Sequence, residues 1–256
     1  AKTSNLSYIS PDQITKNPDN PRMIFREDEM DQLLESIKEV GIKVPISVYA
    51  DGKKFVIIDG ERRWRCSIKL NLKEVPAIIQ PKPTPIENLL MMFNIHNVRV
   101  QWDLMPTALK LKDLKSMLEK EGERVNNKTL STVTGMSLSS VARCMELLEL
   151  PKKYQDLLIK ESEKPKSEQV IKPDLFLEII KSKKAIEKYV PEVFEEIKKE
   201  TYLDIMVDKY QRGVINNVVH FRDISKIARS EEKGVNKNKI VPALVKLTRK
   251  EDYKIE

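Results

Sequence analysis

Apolar residues recur along this chain with two different periods, and the change falls near residue 103. Before it, short apolar runs alternate with helical patterns. Leu6-Ser7-Tyr8-Ile9 reads as a strand, followed by a turn at Pro11-Asp12. Met30, Leu33, Leu34, Ile37 and Val40 then recur at helical spacing, which predicts a helix over 29–40 capped by Asp28 and ended by Gly41. Residues 42–50 read as a strand, with Pro45 restricting it to an edge or to its own start. Asp51-Gly52 is a tight-turn signal into a second strand, 54–58. That strand runs into a helix whose Trp64, Ile68 and Leu70 are spaced for burial. A further strand is expected at 75–79 and a helix from about Ile86, with Leu89, Leu90, Met92 and Phe93 apolar. These elements make an α+β domain, a small sheet with the helix after Gly60 against it.

Beyond Asp103 the strand signals vanish. Leu109, Leu111, Leu114 and Leu118 mark a helix over 107–120, ended by Gly122. Thr129 to Leu148 fits a helix-turn-helix. Leu130 is its inner apolar anchor, Ser131 is small enough for close helix approach, Gly135 makes the turn and Ser137 caps the second helix. Val141, Cys144 or Met145, and Leu148 form the buried stripe of that helix, which leaves Ser139, Ser140 and Arg143 outward. Residues 160–173 read as a charged linker. Phe176, Ile179, Ile180, Ile186, Val193, Phe194 and Ile197 suggest two more helices, and 202–210 and 224–229 look helical as well. The expected organisation is residues 1–100, 101–160 and 161–256, an α+β domain followed by an all-α part.

Composition narrows the function classes. A net charge of +7 and a pI near 9.1 favour an acidic partner such as nucleic acid. No apolar run approaches the roughly 20 residues that a membrane span needs. Two cysteines, Cys66 and Cys144, and two histidines, His96 and His220, make neither a disulfide framework nor a zinc cluster. The expected setting is reducing and cytoplasmic, with no membrane partner.

Two stretches carry chemistry. At Asp59-Gly60-Glu61-Arg62-Arg63-Trp64-Arg65 a strand hands over to a helix at a glycine, where backbone can approach a ligand. The first amides of that helix have no intrahelical partner and attract anions. Three arginines there oppose the helix dipole, an arrangement that fits a polyanion bound beside them. A phosphate cradle and a merely solvated arginine face are both open on these residues alone. The helix-turn-helix would bring Thr129, Ser137, Ser139, Ser140 and Arg143 to double-stranded DNA; an ordinary helical hairpin is the alternative.

The order of Asn17-Pro18-Asp19-Asn20-Pro21-Arg22, Gly41-Ile42-Lys43-Val44-Pro45-Ile46-Ser47 and Gly60-Glu61-Arg62-Arg63-Trp64-Arg65-Cys66 resembles the N-terminal domain of the ParB family of DNA-partition clamps, whose mark is GERRWRA. Leu147-Leu148-Glu149-Leu150-Pro151 is similar to the family's run after its recognition helix. The resemblance covers about residues 10–158. It implies that Gly41, Pro45 and Ile46 meet the base and sugar of CTP, and that Gly60, Glu61, Arg62 and Arg63 hold its triphosphate. It also implies a homodimer and a partition ATPase as partner. Where the family has ENxQRxDL, this chain has His96-Asn97-Val98-Arg99-Val100-Gln101-Trp102-Asp103-Leu104. Asn97 is retained as a nucleotide and Mg²⁺ ligand, but His96 replaces the family's Mg²⁺-holding glutamate. Imidazole suits this oxygen-seeking ion poorly, which counts against CTP hydrolysis more than against nucleotide binding. Relatives of the fold include sulfiredoxin, a free-serine kinase and nucleases, so an enzyme with Glu61 as base, or a regulator without catalysis, is the competing expectation.

Overall fold

The computed structural model describes residues 6–20, 22, 24–97 and 103–249, with the side chains of His96 and Asn97 outside the description. It divides into two compact units, residues 1–170 and 171–256. In the first, a five-stranded mixed sheet is built from β1 (Leu6–Ile9), β2 (Ile14–Thr15), β3 (Ile46–Asp51), β4 (Lys54–Asp59) and β5 (Val75–Gln80). Their spatial order is β1-β5-β3-β4-β2. The β3–β4 hairpin turns at Gly52, which takes the positive φ that the Asp51-Gly52 pair allows. β3 lies parallel to β5 and β2 lies parallel to β4. Ile9, Ile14, Ile46, Val48, Ile57, Val75 and Ala77 make the apolar layer on the sheet, with Trp64 packed against it.

Helix α1 (Glu27–Val40) packs on α2 (Glu61–Lys69) through Met30, Ile37 and Cys66. Helix α3 (Pro85–Asn97) packs on β4. The chain then turns fully helical with α4 (Leu104–Lys120), α5 (Asn127–Thr134), α6 (Leu138–Leu148) and α7 (Lys152–Glu163). Arg26 ties these two halves of the first unit together. It is 6% exposed, sets two bonds of 2.7 and 2.8 Å on Asp103 at the start of α4, and donates to the Lys164 carbonyl at 3.1 Å.

The second unit holds α8 (Pro173–Tyr189), α9 (Val193–Glu196), α10 (Tyr202–Gln211), α11 (Val219–Arg229) and α12 (Lys237–Arg249). Its core includes Phe176, Ile179, Ile186, Val193, Met206, Phe221 and Leu244. Tyr202 is fully buried there, and burial pushes its phenol up while its hydroxyl bonds Ser182 at 2.9 Å.

The α+β-then-helical class read from the pattern is the class observed, and several details differ. Asp28 does not cap α1: Arg26 occupies the cap position, and Glu27, Asp28 and Glu29 fill the first turn, where acids complement the dipole. Strand β3 begins at Ile46, because Gly41 takes φ 72° and Pro45 offers no amide to a ladder. Ile68 is 40% exposed, so the buried side of α2 is Glu61, Cys66 and Ser67 instead. Helix α4 starts at Leu104, three residues earlier than expected, since Pro106 in a first turn loses no helical bond. Helix α7 runs to Glu163, inside the expected linker. Helix α12 had no counterpart in the pattern, and it carries Pro242 within it. Among the described residues no helix is long and apolar enough to cross a membrane.

Candidate nucleotide cradle and nucleic-acid interface

Gly60 ends β4 and caps α2 with φ 99° and ψ 22°, a left-handed conformation that L side chains rarely take. It has no side chain to cap the helix, so the first amides of α2 have no side-chain partner from the cap position. The Arg63 guanidinium folds back over it. A Cβ on Gly60 would stand 2.9 Å from Arg63 Nη2. That guanidinium donates to the carbonyls of Val44 and Pro45, the second at 2.7 Å, and pairs with Asp59 at 2.9 Å. The residues before β3 are thereby stitched to the start of α2.

Beside it lies a cavity of about 210 Å³, lined by Asn20, Arg22, Asp59 and the run Gly60-Glu61-Arg62-Arg63 over Leu33, Ile57 and Ile58. Glu29 sits at its edge as a shared carboxylate. Arg22 approaches it at 3.5 Å, Arg26 at 3.3 Å and Arg62 at 3.8 Å, and Arg62 also donates to the Glu29 carbonyl. Arg26 is balanced by Asp103, so Glu29 is left to face both Arg22 and Arg62, and one positive charge stays uncompensated among the described residues. Burial first, and then the neighbouring Arg62 charge, hold Arg22 below the usual arginine range. An anion in the cavity would offset both costs.

Glu61 is 6% exposed and fully engaged. One oxygen takes Arg65 at 3.0 and 2.7 Å, and the other takes Asn20 at 2.7 Å. It positions the Asn20 loop and Arg65, each of its oxygens held by one of them. Asn17 and Asn88, both buried, bond each other at 2.9 Å and anchor the same loop to α3.

Of the residues expected at the nucleotide, Gly60, Glu61, Arg62 and Arg63 line one cavity, and Pro45 is tied to it only by accepting from Arg63 at 2.7 Å. Gly41 ends α1 with open space around its Cα, and the Ile46 side chain is fully buried in the sheet, so neither lines that cavity. The Asn97 and His96 side chains lie outside the described residues, and among the described ones no group of three or more His, Cys, Asp or Glu could hold a metal ion. Arg22, Asn20 and Asp59 were not among the expected ligands. The Asn-Pro-Arg segment was a usable signal for Arg22; Asp59, just before the glycine, was another.

In the helical part, Asn126 and Thr129 form a reciprocal capping box at the start of α5. Gly135 turns with φ 72°, and Ser131 donates to the Met136 carbonyl at 2.7 Å, which fixes the turn. Ser137 caps α6 by accepting from the Ser140 amide at 3.1 Å. Val141, Cys144 and Leu147 are buried, one step from the stripe expected to end at Leu148. Ser137, Ser139 and Arg143 are exposed and Ser140 is half-buried, so α6 shows these side chains on its open side. Thr129 is committed to its cap.

Fold and site together define a mixed-sheet domain with an arginine-lined cavity at a helix start, continued by a helix-turn-helix. Residues 1–97 match the ParB N-terminal domain. The chain is 34% identical over 152 residues to a chromosome-partitioning protein ParB of Caulobacter vibrioides, covering 57% of this chain and 47% of that protein. It is 32% identical over 149 residues to a nucleoid occlusion protein of Listeria innocua, covering 58% and 50%. The chain thus spans about half the length of the curated relatives it matches. The crystal structure of a C-terminally truncated ParB from Caulobacter crescentus, complexed to the centromeric parS site, matches with a TM-score of 0.53 at 22% identity. The match covers 88% of this chain and 99% of that one, and it shows the fold.

Proposed function

We propose that this chain is a CTP-dependent DNA-binding partition protein, with residues 1–100 as its nucleotide part and 101–160 as its DNA reader. The carrying observation is the cavity at Gly60, which Arg22, Arg62 and Arg63 line beside a helix start without a side-chain cap, within the residues that match the ParB N-terminal domain. Guanidinium forks and backbone N–H groups are the donors that suit phosphate oxygens. In this reading Arg22, Arg62 and Arg63 hold the triphosphate, and the segment from Gly41 to Ser47 meets the base and sugar. Mg²⁺, with Asn97 as an oxygen ligand, would shield phosphate charge. Ser139, Ser140 and Arg143 read DNA from the open side of α6, supported by the exposure of that face. A second copy of the chain closes around the duplex, and a partition ATPase is a further partner. For CTP to switch DNA binding it must interact differently with the open and closed states.

Calorimetric titration of CTP against ATP, GTP and UTP, with and without DNA, tests this reading. CTP binds preferentially, and Arg63→Ala abolishes its binding. Equal affinity for all four nucleotides, or tight CTP binding by Arg63→Ala, overturns the cradle assignment. Arg143→Ala weakens specific DNA binding by roughly 1–3 kcal/mol; an unchanged footprint removes Arg143 from the readers.

A further inference from the structure

A second concavity, of about 570 Å³, lies along another side of α2 and shares no lining residue with the cradle. Its floor is apolar: Phe25, Met30, Trp64 and Ile68. Met30 is buried, whereas Ile68 is 40% exposed, which leaves a large aliphatic side chain in water with neighbours of its own kind. Trp64 spends its Nε1 proton on the Pro11 carbonyl at 3.0 Å, so the indole has no hydrogen-bond donor left for the groove.

The rim is charged and unbalanced. Lys16, Arg65 and Lys69 face a single acid, Glu27. Among the described residues Lys16 and Lys69 make no ion pair. Arg65 gives Nε and Nη2 to Glu61, which leaves Nη1 without a partner there. Its guanidinium stacks on Phe25 at 3.9 Å, and Arg22 stands 5.9 Å from the same ring. The Phe25 ring is therefore already occupied by cations and is no open platform for a nucleic-acid base.

We propose that this groove docks an acidic peptide segment of a partner protein. An aliphatic or aromatic side chain of that segment sits on Met30, Trp64 and Ile68, and flanking carboxylates meet Lys16, Lys69 and Arg65. Charge complementarity selects the occupant: with Arg65 balanced by Glu61, Lys16 and Lys69 still outnumber Glu27, and the rim attracts an acidic sequence and repels a basic one.

A fluorescein-labelled peptide of alternating Glu and Leu, with a Lys and Leu peptide as control, tests the groove by anisotropy on the full chain. The acidic peptide binds and the basic one does not. Ile68→Glu and Lys69→Glu each weaken it by about tenfold. Both positions are exposed, so neither variant shifts the thermal midpoint, and nucleotide affinity is unchanged in both. Affinity unaffected by Ile68→Glu overturns the proposal. So does displacement of the peptide by an equal concentration of oligo-dT, which would mark a nucleic-acid surface. A dimer in sedimentation that Ile68→Glu disperses, without peptide binding, overturns it in favour of a second copy of the chain.

Discussion

Two helix N-termini in the first unit are finished in opposite ways. Helix α2 begins at a glycine that caps nothing, and its arginines turn back onto neighbouring carbonyls and carboxylates. Helix α6 begins at Ser137, which caps its own third amide and holds the hydroxyls of Ser139 and Ser140 within 3.0 and 2.8 Å. The first end leaves its backbone donors to a ligand and surrounds them with excess cationic charge. The second satisfies its backbone and leaves side chains for a surface. On the proposed reading, an anion site is built by withholding a cap, and a DNA-reading helix by supplying one.

Gly60→Ala breaks this contrast most sharply. The new Cβ would stand 2.9 Å from Arg63 Nη2 at φ 99°. The guanidinium can swing aside, but the backbone conformation then costs about 1–2 kcal/mol. CTP affinity falls about 100-fold, roughly 2.7 kcal/mol, by calorimetry. DNA binding measured without nucleotide is unchanged. An Ala variant with wild-type CTP affinity would mean that close backbone approach at Gly60 is not what the site uses.

The cysteines beneath the two helices sharpen the comparison. Both are buried with no exposed surface. Burial raises the Cys66 thiol, but Arg62 and Lys69 pull it back. Burial pushes Cys144 up to about 12 from an ordinary 9.0, with only Arg143 opposing it. A thiol that keeps its proton in the folded state stabilises the fold fully below pH 9.0 and loses that contribution as pH rises towards about 12. By about pH 10.5 the share lost is about 2 kcal/mol. Urea unfolding at pH 7 and about pH 10.5 therefore shows a smaller pH-dependent loss in Cys144→Ala than in the wild type. Cys66→Ala removes less of that dependence. Equal behaviour of the two variants would show that burial and neighbouring charge do not hold the two thiols apart.

Much of this was legible in the chain because the informative partners are sequence neighbours. A strand, a glycine and an arginine-rich helix start lie within residues 54–65, and the turn at Gly135 lies between Ser131 and Ser137. The bonds that shape the cradle from outside are long-range and carry no local pattern. Arg26 finds Asp103 77 positions away, and Asn20 finds Glu61 41 away. Helical spacing put Ile68 in the core; α2 instead rolls to bury Cys66 and Ser67, and Ile68 becomes the floor of the second groove. Helix α12 escaped notice because Pro242, a helix-breaking signal, lies within it.

The smallest effect decides whether Ser137 is spent on the fold. Its Oγ accepts from the Ser140 amide at 3.1 Å and contacts the hydroxyls of Ser139 and Ser140, so little of its bonding capacity is left for a phosphate. Ser137→Ala removes a helix cap and costs about 1 kcal/mol of stability, read as a lower urea midpoint. CTP affinity does not change, because the capped helix lies outside the cradle. Ser137→Asp restores the cap and the midpoint, since aspartate accepts the same amide bond. It also places negative charge where DNA phosphates would lie, and DNA affinity drops. If Ser137→Ala leaves stability intact and weakens only DNA binding, the hydroxyl belongs to the surface and the two helix ends are less unlike than their geometry indicates.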